Sequence, residues 1–104
     1  MRPTRERAFR LACSVGRVLH VVRSALEAAG LRVIHVDTSA GVVIAERPPS
    51  FWWQGNSVRV TFQRAGDETH VTVRSESMSW GVADWGRNER LIAKIEAKLR
   101  LFAT

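Results

Sequence analysis

Apolar positions recur with a period of two in some stretches of this chain and of three to four in others. Those changes of period mark out its elements. Phe9, Leu11 and Cys13 alternate with Arg10 and Ala12, the pattern of a half-buried strand. From Val15 the spacing opens, and Val18, Leu19, Val22, Ala25, Leu26 and Ala29 join it on one face of a helix. Ser14 stands where its oxygen can accept a free helix amide, and Gly30 where a helix can turn off through positive φ. Residues 1–7 carry no such period. They read as a basic N-terminal extension ahead of a single domain over residues 8–104.

"LRVIHVD" and "GVVIAER" are rich in β-branched residues and flank the turn "TSAG", so they predict two strands. The prolines of "RPPS" end the second of them. "SVRVTFQR" and "THVTVRS" form the clearest hairpin. Val58, Val60, Phe62, Val71 and Val73 lie on one face, and "AGDE" makes the turn. Arg59, Thr61, Gln63, His70, Thr72 and Arg74 lie on the other face. Ile92, Ile95, Leu99 and Phe102, widened by Leu91, predict a last helix from about residue 85 to 102. Asp84 or Asn88 is placed to cap it, and Gly86 to turn before it.

The predicted order is β-α-β-β-β-β-α. Strands that pair as hairpins favour an antiparallel sheet, so the expected class is α+β. We expect a two-layer sandwich, a mostly antiparallel sheet with two helices on one face.

Four landmarks run in order: "GVVIA", then "FWW" ahead of "VRV", then Arg74-Ser75-x-Ser77 ending a strand, then Asp84-x-Gly86-x-Asn88-x-x-x-Ile92. In these the chain, over roughly residues 15–102, resembles the domain-of-unknown-function 1499 family of mainly bacterial proteins. Gln54, Gly55 and Asn56 stand where that family usually carries acidic residues, and Met78 where it usually has a basic one. The resemblance supports the fold and implies no activity, cofactor or partner.

The net charge of +6, nearly all from arginine, fits an anionic partner such as nucleic acid, or general solubility. No apolar run reaches the roughly 20 residues a membrane span needs. Arginines interrupt the N-terminal apolar residues, so no signal peptide is expected there. One cysteine, Cys13, excludes an internal disulfide framework and fits a cytoplasmic setting.

Chemistry-bearing groups are sparse. His70 and Ser75 lie five apart on one strand and so point to opposite faces, and no nucleophile elbow surrounds any serine. His20, His35, His70 and Cys13 lack metal-site spacings, and phosphate-cradling glycine motifs are absent. No cofactor and no enzyme activity are therefore expected. Arg59, His70 and Arg74 form a basic sheet face, and Arg74 or Arg59 could pair with Asp84 to clamp the loop. Phe51, Trp52, Trp53, Trp80 and Trp85 form a candidate aromatic cluster for a ligand or partner, or else a plug for the core. Ser75, Ser77, Asp84, Gly86 and Asn88 read as structural loop and cap residues. The leading expectation is a binding or interaction module that uses the aromatic cluster or the basic face, with a protein partner or a homodimer. The alternatives are nucleic acid or another anionic partner on the arginine-rich surface, and a small apolar ligand.

Overall fold

The computed structural model describes residues 4–47, 55–77 and 86–103. Its elements are β1 (Thr4–Leu11), α1 (Val15–Ala28), β2 (Arg32–Asp37), β3 (Val42–Arg47), β4 (Asn56–Ala65), β5 (Glu68–Ser77) and α2 (Arg87–Ala103). The strands form one antiparallel sheet in the order β1-β5-β4-β3-β2.

Local chemistry sets the elements as the pattern predicts. The Ser14 hydroxyl accepts the Arg17 amide at 3.2 Å and starts α1, while Gly30 at φ 89° ends the turn after it. In the turn between β2 and β3 the Asp37 carboxylate accepts the Ala40 amide at 3.0 Å. Gly41 follows at φ 68°, and its carbonyl accepts the Phe62 amide at 2.8 Å, tying the turn to β4. β4 and β5 meet through a two-residue turn at Gly66 and Asp67. Val58, Val60, Phe62, Val71 and Val73 are all buried on the inner face.

One boundary differs from expectation. β1 begins at Thr4, so residues 4–7 are part of the sheet. Arg5, Glu6 and Arg7 hide this because β1 is an edge strand, held through backbone pairing with β5 and charged on its exposed positions. In α2 the buried positions are Asn88, Leu91, Ile92, Ile95, Leu99 and Ala103, with Phe102 only partly covered.

The expected two-layer sandwich needs correction. β1 and β2 lie at opposite edges of the sheet, so α1, which joins them, has to cross its width. α1 packs most extensively on α2, and against the sheet it meets β2, β4 and β5. α2 lies along β1 and β5. The helices are thus a packed pair gripped by the sheet, with apolar side chains interlocking between all three. Periodicity gives each helix its buried stripe but not the strand that stripe will meet.

A polar seam fastens α2 to β1. Glu96 accepts from Arg7 at 3.1 Å and from Arg100 at 2.8 Å, and Arg100 also donates to the Arg10 carbonyl at 3.2 Å. The Arg100 guanidinium lies 5.3 Å from the centre of the Phe9 ring. Burial pushes the Glu96 carboxyl up, but the hydrogen bonds and charges of Arg100 and Arg7 outweigh it and hold the group below its ordinary value of 4.5. A carboxylate lowered in the folded state stabilises above its unfolded range, and that contribution fades as pH falls through the lowered value. Glu96→Gln is therefore expected to cost about 1 kcal/mol at neutral pH, with the deficit shrinking in acid below about pH 4.5. Urea midpoints of both proteins across that range would show it; a deficit independent of pH would contradict the assignment.

Candidate functional site

At one end of the sheet a buried polar joint holds the first turn of α2. Asn56 opens β4, while Ser75 and Ser77, two apart on β5, share its inner face. The Asn88 side-chain oxygen accepts from Ser75 Oγ at 2.6 Å and from Asn56 Nδ2 at 2.7 Å, and Asn88 Nδ2 donates to Ser77 Oγ at 3.1 Å. None of the four is more than 3 % exposed. Ser75, Ser77 and Asn88, read from the sequence as loop and cap residues, thus meet as one unit. The carboxamide of Asn88 faces the strands. Gly86, at φ 76°, precedes it and accepts the Arg90 amide at 3.0 Å. The four side chains described in the joint are amides and hydroxyls, which fasten α2 to β4 and β5.

Beside the joint lies a cleft of about 120 Å³ lined by Arg47, Arg87, Arg90, Leu91 and Lys94. Arg47 ends β3, in register with Asn56, and donates to the Ala29 carbonyl at 2.9 Å. Residues 87, 90, 91 and 94 fall at i, i+3, i+4 and i+7, one face of α2. Leu91, only 4 % exposed, gives the cleft an apolar floor, and the four cations form its rim. No acidic residue is among the described residues that line it. Our reading of the sequence missed this group. The signal was there, in the basic stripe Arg87-Arg90-Lys94, but Arg47 is far away in the chain.

The arrangement of sheet and helices has known counterparts. Over 95% of this chain and 98% of that one it matches Ara h 8.0201, with a TM-score of 0.66 and 9% identity. A START superfamily protein from Mycobacterium smegmatis matches at a TM-score of 0.65 and 9% identity, covering 93% of this chain and 94% of its own. The Zhui aromatase/cyclase from Streptomyces sp. R1128 matches at 0.59 and 10%, covering 99% and 87%. No protein-family profile matches the chain, and no curated protein matches it in sequence. The likeness is one of fold. It replaces the expected two-layer sandwich with the helix-grip arrangement of START-like structures.

The outer sheet face is mixed in charge. Arg59 and Arg74 are direct cross-strand partners, both exposed, beside a depression of about 280 Å³ that Ile44, Ser57 and Glu76 also line. His70 pairs with Gln63 instead, about 13 Å along the strand, so the structure separates it from the two arginines. Glu6 lies opposite Arg74 on β1, and Glu46 opposite Ser57 on β3. None of the described strand residues on this face is Phe, Tyr or Trp, the side chains that dominate the stacking surface of a single-strand RNA platform.

Phe51, Trp52, Trp53, Trp80, Asp84 and Trp85 lie outside the described residues, so the aromatic cluster and the proposed clamp of Arg59 or Arg74 to Asp84 do too. The ends of the two stretches that carry them are fixed at the joint, however. Arg47 pairs with Asn56, Asn56 with Ser77, and Asn88 bonds to β4 and β5. Ser75 faces the core while His70 faces outward. Among the described residues no three His, Cys, Asp or Glu side chains gather as a metal site. No helix of the described residues is long and apolar enough to cross a membrane.

Proposed function

We propose that this chain is a non-enzymatic binding module for a small, largely apolar ligand, taken at the end of the sheet where β3, β4, β5 and α2 meet. The observation that carries the reading is the cleft beside the joint, an apolar Leu91 floor under a polar rim. The helix-grip fold supports it, since one matching structure is named as a START superfamily protein and another as an aromatase/cyclase. Val18, Val22, Leu26, Val58, Val60, Val73, Ile92, Ile95 and Leu99 are all fully or almost fully buried between the helices and the sheet.

The chain has four tryptophans and no tyrosine, so tryptophan fluorescence is a ready probe. The test is a titration with alkyl and aromatic compounds of graded length, followed by tryptophan emission and native mass spectrometry. One-to-one complexes with dissociation constants below about 1 mM are the expected result. The reading fails if no member of the series, neutral or charged, forms such a complex.

A further inference from the structure

We infer that the free edge of β2 is the contact between two copies of this chain, paired antiparallel about a two-fold axis that passes between Ile34 and His35. The inference is independent of the ligand reading above. It begins from a difference between the two edges of the sheet. On β1 the exposed positions Arg5, Glu6, Arg7 and Arg10 are charged, the usual guard of an edge strand. β2, at the other edge, has no such run. Ile34 is 51 % exposed and Val36 39 %, two of the three large apolar side chains that the described residues leave open. Among the described residues β2 pairs with β3 alone.

The irregularity in β2 decides which partner the edge fits. In a regular strand residues an odd number apart take opposite faces, so Arg32 and Asp37 would be split. The register shift between Val33 and His35 brings them back together. Arg32 lies opposite Glu46 and Asp37 opposite Val42, both on the outer face. Val33 and Val36 lie opposite Ala45 and Val43, which are buried on the inner face. Read in either direction the strand then has the same order of faces, with opposite charges at its two ends.

Two such strands side by side match throughout. Each Arg32 meets Asp37 of the second copy on the outer face, and each Val33 meets Val36 on the inner face. Ile34 meets His35 at the centre. Charge and face agree in this one register, and they do so for a second copy of the same strand. Arg32 donates one nitrogen to Glu46 at 2.7 Å, and one oxygen of Asp37 accepts the Ala40 amide. Each keeps further donors or a second oxygen for a pair across the edge. The two five-stranded sheets become one, with the helices of both copies on the same side. An edge of six residues is short against the roughly 1,200 Å² that stable complexes bury, so the dimer is a weak one.

Sedimentation velocity of the full chain from about 1 to about 500 µM tests this. A monomer–dimer equilibrium with a dissociation constant below about 200 µM is expected. Arg32→Asp alone and Asp37→Arg alone each set like charges against each other and should weaken the dimer at least tenfold. An equimolar mixture of the two variants restores both ion pairs, and it should dimerise within about threefold of the unaltered chain. Circular dichroism melts establish that each variant is folded. Should either fail to fold, Ile34→Lys, at a side chain already half in water, carries the test and should also weaken the dimer at least tenfold.

A chain that stays monomeric to 500 µM would overturn the inference. So would a dimer that survives Ile34→Lys or both charge reversals, since it would use another surface. Folded reversal variants that do not associate on mixing would overturn the register and with it the two-fold match.

Discussion

Asn88→Ala is expected to lower the unfolding free energy by about 3 kcal/mol. The change deletes the acceptor used by Ser75 and Asn56 and the donor that serves Ser77, all in a site with almost no access to water. Each buried polar group that loses a partner costs about 1–3 kcal/mol, more than a hydrogen bond contributes when made, because the group was desolvated on folding. Asn88→Leu should do no better, since filling the space leaves the same groups facing hydrocarbon. Ser77→Ala removes a single bond and should cost about 1 kcal/mol. Urea denaturation followed by far-ultraviolet circular dichroism gives both values. Equal, small losses for Asn88→Ala and Ser77→Ala would show that the joint contributes little.

Gly41→Ala and Gly66→Ala form the second test, a pair matched in backbone conformation and contrasted in surroundings. Both glycines have nearly the same positive φ, 68° and 66°. A Cβ at Gly66 meets nothing within 4 Å, so alanine there should cost only the conformational penalty, about 1 kcal/mol. A Cβ at Gly41 would lie 2.6 Å from the Phe62 carbonyl oxygen, a backbone atom that cannot step aside. The Gly41 carbonyl accepts the Phe62 amide, so relieving the clash would also strain that bond. We expect a loss of about 3 kcal/mol at position 41, measured by the same urea melts. A loss at Gly41 no larger than at Gly66 would mean that the turn shifts freely against β4.

These sites show what was legible in the sequence. The stripe Val18-Val22-Leu26 and the alternation Val58-Val60-Phe62 gave α1 and β4, because burial imposes its period on the residue order. The hairpin also gave Arg59 and Arg74 a common face, since a tight turn fixes register. Strand order was not legible. Nothing in Thr4–Leu11 names Thr69–Glu76 as its partner, because the backbone hydrogen bonds that join them carry no side-chain signature. For that reason the sandwich was expected and the helix-grip arrangement was not.

The candidate site was half legible. Ser75, Ser77 and Asn88 were read as landmarks of the chain, but their meeting with Asn56 depends on tertiary packing. The cationic rim was missed for the same reason, since Arg47 meets α2 only once the end of β3 comes to lie beside it.

The place of β1 has a consequence for how the chain is made. Its partner β5 follows every other strand, so on a ribosome the first strand emerges long before the one that completes it. The hairpins β2–β3 and β4–β5 can close with neighbours already outside, whereas Thr4–Leu11 has to wait with its Phe9 and Leu11 uncovered. The alternating Arg5, Glu6, Arg7 and Arg10 keep that waiting segment wet and charged, so the same residues that concealed a strand in the sequence act as its escort during synthesis.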